Sequence, residues 1–367
     1  MKIAYIVSTL KLAGPTNQLF NIVKNIDKEK HQVLVITLSP EPKESLWDKF
    51  VQHRIPVKTV GLSRLQGVVN AHKVVKKMLE EFNPDVVHTQ GIRADYISAT
   101  YLPYPNVATL RNYPYADYVM TYGKIKGWIM AKVHLNILQK LSAPVACSDS
   151  IARMVGEHGI KLYSVKNGVD TDRFFPATPE EKELIKNELN LPKDKKVYVS
   201  VGHLSTRKDP LFVIKGFLKS KLKENGYLVM VGDGPLRSEC EQLVENEDSV
   251  HILGRTDRVN DYLRGADFCI SASKAEGLPN SILEALATGL PAVLSDIEPH
   301  KEMLELNTKA GLLFVLGDES EFVNKLNQIL DLNQDEMKQA ALDIIEYHLS
   351  AKKMSENYME IYNKIVN

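Results

Sequence analysis

Two glutamates eight positions apart carry the strongest chemical signal in the chain. They bracket Glu276-Gly277-Leu278-Pro279-Asn280-Ser281-Ile282-Leu283-Glu284-Ala285, which follows an apolar run. Glu276 falls in a loop, and Glu284 in the first turn of a helix expected over Ser281–Thr288. A helix start supplies unpaired backbone N–H groups and partial positive charge, which suits a phosphate or a sugar oxygen. Ser281-x-x-Glu284 also has the form of a capping box, which needs no ligand. A carboxylate in a Gly-Leu-Pro-Asn loop has no such structural reason, and Glu276 is taken as functional.

A second segment, Gly202-His203-Leu204-Ser205-Thr206-Arg207-Lys208-Asp209, follows another apolar run. Arg207 and Lys208 could reach a diphosphate, and Gly202 lets backbone approach it closely. A solvated loop with two exposed cations fits the spacing equally well. Gly14-Pro15-Thr16-Asn17 opens a helix after the first apolar run, and its backbone could lie against the same diphosphate or form a plain turn. His88, in Val87-His88-Thr89-Gln90, stands at a strand end and suits either chemistry or a buried structural role. Two motifs are set aside. Gly232-Asp233-Gly234-Pro235-Leu236-Arg237 begins like a dinucleotide fingerprint, but Arg237 replaces the third glycine. Asp170-Thr171-Asp172 resembles a metal-binding pair, yet no further carboxylate or histidine is near in sequence, so no metal site is expected.

The elements that must position these residues are short β-branched runs, each followed by a helical pattern. Strands are expected at Lys2–Val7, Gln32–Leu38, Val57–Val60, Asp85–Thr89, Asn106–Leu110, Pro144–Cys147 and Lys161–Val165. A second set is expected at Lys196–Val201, Tyr227–Val231, Ser249–Leu253, Asp267–Ser271, Pro291–Ser295 and Gly311–Val315. Several are continuously apolar, as parallel strands covered on both faces must be. Helical patterns lie between them, among them Asn70–Phe82, Trp128–Leu141 and Arg237–Glu245. The alternation implies α/β architecture, with doubly wound parallel sheets. The turn Asn167-Gly168-Val169-Asp170 and the polar stretch Pro176–Asp194 divide the chain. We therefore expect an N-terminal domain over 1–166 and a C-terminal domain over 167–349, with an amphipathic helix in 350–367 returning to the first. Ligands of open α/β sheets bind beyond the carboxyl ends of the strands, where the motifs fall. The two domains are expected to face each other across a cleft, with one substrate on each.

Composition narrows the classes. A chain of 367 residues exceeds the usual single domain. Lys plus Arg and Asp plus Glu number 46 each, so no overall field selects for nucleic acid, and none is expected as a partner. Cys147, Cys240 and Cys269 form no Cys-x-x-Cys pair and read as reduced, packed thiols, which argues against structural zinc. The N-terminal apolar run is too short for a signal segment, and no run approaches a membrane span. The expected location is the cytoplasm. The basic, apolar stretch Lys124-Ile125-Lys126-Gly127-Trp128-Ile129-Met130-Ala131-Lys132-Val133-His134-Leu135 could touch an anionic membrane surface at the inner face of the plasma membrane, or be an ordinary packed helix with exposed lysines.

Taken together, these motifs resemble family 4 of the retaining glycosyltransferases, which have the GT-B fold of two Rossmann-like domains. The matching stretches are Lys166 to Phe174, Gly202 to Lys208, Gly232 to Pro235, Glu276 to Glu284, Ala287-Thr288-Gly289-Leu290-Pro291 and Ser295-Asp296. The second half matches nearly throughout and the first half more loosely. The resemblance implies that Lys208 binds a donor diphosphate with help from Arg207, and that His203 stands where relatives often carry arginine. It implies that Glu284 bonds the ribose hydroxyls and Glu276 the donor sugar. The backbone of Gly277, Leu278, Pro279, Asn280 and Ser281 would meet sugar and phosphates, with Arg255 and Thr256 near the base and Gly14 across the donor. Many members have a histidine after the strand at Asn106–Leu110; here Arg111 takes that position. An arginine cannot act as a base at neutral pH, but it could bind an acceptor phosphate.

The resemblance further implies transfer of a hexose-type sugar from a nucleotide-sugar, most simply a UDP-sugar, to a glycan or lipid-linked saccharide. It is greatest to bacterial enzymes that build capsular and other surface polysaccharides. No metal or other cofactor is expected. Two rival readings use the same fold: a nucleotide-sugar epimerase, and a non-catalytic nucleotide-sugar-binding protein.

Overall fold

The computed structural model describes residues 1–62 and 64–366, and of residues 64–69 the backbone only. The chain forms two compact units, residues 1–168 with the final helix Ala351–Val366, and Val169–Ser350.

The first unit is built on a parallel sheet of β1 (Lys2–Val7), β2 (Gln32–Thr37), β3 (Val57–Thr59), β4 (Val86–Gln90), β5 (Asn106–Leu110), β6 (Ala143–Ala146) and β7 (Tyr163–Ser164). Its spatial order is β3-β2-β1-β4-β5-β6-β7. The second unit repeats the plan with β8 (Lys196–Val201), β9 (Gly226–Val231), β10 (Val250–Gly254), β11 (Phe268–Ser271), β12 (Ala292–Ser295) and β13 (Gly311–Phe314), ordered β10-β9-β8-β11-β12-β13. Both are α/β Rossmann-like sheets. In each, the strand order reverses between two neighbouring strands, β1 and β4 in one, β8 and β11 in the other. Connections there leave toward opposite faces, which opens a crevice at the carboxyl ends. Lys208 and Glu276 both belong to loops that leave this reversal point.

The apolar runs become central strands for the expected reason. Ile3 to Val7 and Val86 to Gln90 are buried throughout, because helices cover both sheet faces. The helix Lys124–Leu138 begins one turn earlier than its apolar pattern implies. Gly127 explains this early start. A Cβ there would stand 2.3 Å from the carbonyl oxygen of Tyr118, so glycine lets this helix cross Pro114–Tyr122 closely. Buried His134 then ties the helix inward, through Nε2 to Asp95 at 2.7 Å and Nδ1 to the Tyr118 hydroxyl at 2.8 Å. Gly127, Ala131, His134, Leu135 and Leu138 are its buried face, while Ile125 (80% exposed), Trp128, Ile129 and Val133 point outward.

The final helix packs on the helix Gly14–Lys24, and the Ser355 hydroxyl donates to the carbonyl of Ile22 at 3.0 Å. It also reaches the heart of the sheet. His88 lies in the middle of β4 rather than at its end and is fully buried, which agrees with the second of its two readings, a buried structural role. Its Nδ1 bonds the Tyr362 hydroxyl at 2.6 Å and its Nε2 the Thr109 hydroxyl at 2.7 Å. Tyr362 continues to the Tyr5 hydroxyl at 2.9 Å, and Thr109 to the Tyr358 hydroxyl at 2.7 Å. Burial, helped by the nearby charge of Arg111, pushes the imidazole well below its usual pKa. A neutral, fully engaged histidine in this network seats the final helix and is withdrawn from substrate.

Candidate active site

The site is assembled from two loops of the second unit. The first leaves β8 at Gly202 and ends at Asp209, which caps the helix Pro210–Lys219 in a left-handed conformation with φ of 49°. Aspartate tolerates that region better than most residues. Lys274 holds it by an ion pair of 2.7 Å to Asp209. Gly202 matters as a platform, because a Cβ there would come within 3.2 Å of the Lys208 side chain that lies over it. The second loop leaves β11 and runs into the helix Asn280–Ala287. Backbone joins the two loops, the Lys274 amide donating to the Arg207 carbonyl at 2.8 Å. The Arg207 guanidinium returns a bond of 2.7 Å to the carbonyl of Ala275.

That pairing brings three charges together. Glu276 Oε1 lies 2.6 Å from Lys208 Nζ, and Oε2 lies 2.7 Å from Arg207 Nη1. The carboxylate side chain is only 8% exposed. Burial alone would raise its pKa, but the two cations hold it at about 2, so it stays charged at any working pH. Glu284 differs. Burial pushes its carboxyl up to about 7 against the weaker pull of Arg173 and Lys208. Two carboxylates on one loop–helix segment therefore sit on opposite sides of the usual value.

The helix Asn280–Ala287 begins after Pro279, and no side chain caps it. The capping box that Ser281 and Glu284 could have made, the ligand-free alternative for Glu284, is not formed. Ser281 is already the second helical residue, and Glu284 stands one turn inside the helix rather than in its first turn. The start of this helix, four residues after Glu276, carries partial positive charge. Gly277, Leu278 and Pro279 are buried loop residues leading into this start.

Other expected residues fall into three places. His203 is exposed and its Nδ1 bonds the carbonyl of Asp233. Arg255 and Thr256 follow β10, the sheet edge, two strands from β8 and so about 10 Å away. Gly14 opens its helix seven residues beyond the end of β1, in the first unit. Arg111 follows β5 in the same unit, and its guanidinium donates to Asn167 Oδ1 at 2.6 Å and Gln90 Oε1 at 3.4 Å. Its Nη2 is buried and unpaired in the described structure, as is the amide nitrogen of Gln90.

Two residues escaped sequence reasoning. His300 is fully buried behind the second loop; its Nδ1 donates to the Ser295 carbonyl at 2.8 Å, and burial lowers its pKa to about 4. Arg173, inside the family-like stretch Lys166 to Phe174 but given no role there, acts on Glu284 from a turn. The Gly232–Gly234 segment acquires a structural reason. A Cβ at Gly232 would lie 1.9 Å from the Gly202 carbonyl, and one at Gly234 would lie 2.4 Å from that of Leu204. These glycines let the loop after β9 press against the Lys208 loop. Among the described residues, no group of three or more His, Cys, Asp or Glu is placed to hold a metal ion.

Residues 13–173 match the family model described as Glycosyltransferase Family 4, and residues 181–345 the one described as Glycosyl transferases group 1. An Escherichia coli enzyme named UDP-Gal:alpha-D-GlcNAc-diphosphoundecaprenol alpha-1,3-galactosyltransferase is 30% identical over 47% of this chain, a stretch spanning 46% of that protein. A Campylobacter jejuni N,N'-diacetylbacillosaminyl-diphospho-undecaprenol alpha-1,3-N-acetylgalactosaminyltransferase is 24% identical over 94% of each chain. Among solved structures, Anabaena Alr3699/HepE in complex with UDP covers 99% of this chain and all of its own, with a TM-score of 0.84 at 18% identity. That likeness establishes the fold.

Proposed function

Since the chain belongs to glycosyltransferase family 4 and is a glycosyltransferase, we propose that it moves a hexose-type sugar from a UDP-sugar to a lipid-linked saccharide, with retention of configuration, in bacterial surface-polysaccharide synthesis. The observation that carries this reading is the meeting of Lys208, Arg207 and Glu276 beside an uncapped helix start at the strand-order reversal. Breaking a glycosyl–phosphate bond builds negative charge on the departing diphosphate and positive charge on the sugar ring. Lys208, Arg207 and the helix amides stabilise the former without a metal, in a site where charge interactions are little screened. Glu276 faces the sugar and stabilises its positive charge. Glu284 accepts hydrogen bonds from the ribose, and Arg255 and Thr256 lie toward the base.

The leaving phosphate oxygen takes the acceptor's proton, and the nucleophile arrives on the face the diphosphate leaves. Arg111, whose guanidinium is held by Asn167 and Gln90, is the first-unit cation assigned to an acceptor phosphate. The choice of a UDP-sugar and a lipid diphosphate is supported by the names of the Escherichia coli relative and by Alr3699/HepE, solved with UDP-glucose. The exposed Ile125, Trp128, Ile129 and Val133, set among Lys124, Lys126 and Lys132, suit an anionic bilayer where such an acceptor resides. The contact proposed is peripheral, at the inner face; among the described residues no helix is long and apolar enough to cross a membrane.

A thermal-shift panel of UDP, GDP, ADP and CMP, followed by transfer assays with the matching sugars and a polyprenyl-diphosphate saccharide in excess chelator, tests the reading. Stabilisation by UDP and metal-free transfer with a retained anomer are expected. A strict divalent-metal requirement, or an inverted product, would overturn the mechanism. Flotation with anionic but not neutral vesicles is expected; absence from both rejects the membrane contact.

A further inference from the structure

The cations assigned to the diphosphate are committed elsewhere in this structure. Lys208 and Arg207 each hold one oxygen of the same carboxylate, at 2.6 and 2.7 Å. The Lys208 side chain is 16% exposed and the Glu276 side chain 8%, so water does little to weaken that pair, while Arg207, at 36%, holds the other carboxylate oxygen from the solvent side. The cluster carries a net charge of +1 while Glu276 is ionised. A diphosphate brings two or more negative charges, so cations and anions can no longer balance with the carboxylate in place.

We propose that Glu276 competes with the donor's diphosphate for Lys208 and Arg207, and that the diphosphate releases this carboxylate as it binds. This rests on the donor-site reading above and adds a sequence of events to it. Without its anion, the buried Lys208 and its half-exposed neighbour Arg207 would repel each other and spread. Glu276 keeps both cations converged at the cost of affinity for the diphosphate, and the displaced carboxylate then becomes available to the sugar. One residue thereby weakens binding of the nucleotide part and strengthens the transition state. Such a division raises turnover rather than ground-state binding. Because both cations hold the carboxyl far into the acid range, the competition persists at every pH the enzyme meets.

The proposal predicts a split that a purely structural role would not produce. Glu276→Gln keeps the shape and removes the charge, so its affinity for UDP rises about tenfold while kcat falls about a hundredfold. Inorganic pyrophosphate, which lacks base, ribose and sugar, tightens by a similar factor. Glu276→Asp keeps the charge and shows no gain in UDP affinity, which covers the case in which the glutamine variant folds poorly. Calorimetric titration of UDP, GDP, ADP and pyrophosphate, with melting curves of each variant, supplies the readout. If the wild type binds a nucleotide and Glu276→Gln binds it equally or more weakly, the competition is refuted and the donor site stands. If neither protein binds any of the four probes, the donor-site reading fails and takes this inference with it.

Discussion

At the strand-order reversal of the second unit, Lys208 and Arg207 each lie within hydrogen-bonding distance of the Glu276 carboxylate, so three full charges meet there. At the corresponding reversal of the first unit, between β1 and β4, Tyr5, His88, Thr109, Tyr358 and Tyr362 form a chain of neutral hydrogen bonds. The charged set lies in loops just beyond the strands, with Glu276 and Lys208 well covered and Arg207 half-exposed, whereas the neutral set is buried within the sheet and its covering helix. Ionised groups held in a protein interior are costly unless paired, and groups held at that cost are the ones a chemical step can use. Neutral hydroxyls and an uncharged imidazole cost less and fix geometry. Here they seat a helix more than 200 residues away in sequence, Ala351–Val366, on the first sheet. One reversal point thus carries charge for chemistry, and the other spends its polar groups on architecture.

Substitution can break this contrast from either side. Removing the Lys208 amine should have the largest effect: Lys208→Ala is expected to lower transfer by about a thousandfold, since one stabilising group of this kind is worth roughly a hundred- to a thousandfold and Arg207 loses its partner's alignment. A circular-dichroism melt should show the protein still folded, and full transfer in this variant would remove the site's main support. Glu284 comes next. Its carboxyl is raised to about 7 from an unfolded value near 4.5, so the folded state binds the extra proton between those limits and stability declines as pH rises through them. Glu284→Gln should therefore melt higher than the wild type at pH 8, by about 1–3 kcal/mol of stability, and equally at pH 4. Its affinity for UDP should drop about tenfold, and unchanged melting with unchanged binding would show that neither role is real. The smallest effect belongs to the neutral network. Tyr362→Phe leaves His88 Nδ1 and the Tyr5 hydroxyl short of a partner and should cost about 1–3 kcal/mol in denaturant titration. Activity per folded molecule should stay at the wild-type level; a selective loss of kcat would place this network in the chemistry after all.

The strands were legible because each is a local apolar run whose length and β-branched content depend on neighbours in sequence alone. Ends shifted by one or two residues, as at β2, β4 and β6, since a strand stops where its partner stops. The early start of the helix at Lys124 escaped the pattern because it depends on Gly127 meeting Tyr118 across a crossing. The Gly232–Gly234 pair looked like a failed nucleotide fingerprint, yet its glycines answer to the carbonyls of Gly202 and Leu204 some thirty residues back.

By itself, then, the chain's order of residues determined the α/β class, the paired sheets and the loops that hold Lys208, Glu276 and Glu284. These follow from periodicity and from chemistry placed directly after apolar runs. The folded arrangement decided which of those groups meet and what charge each carries. Glu276 is held at about 2 because two cations from another loop reach it, whereas Glu284 is raised to about 7 because burial outweighs its neighbours. His88 became an architectural residue for the same kind of reason, since the hydroxyl on its Nδ1 comes from the far end of the chain. Ionisation and partnership depend on distances through space, and no spacing along the backbone encodes them.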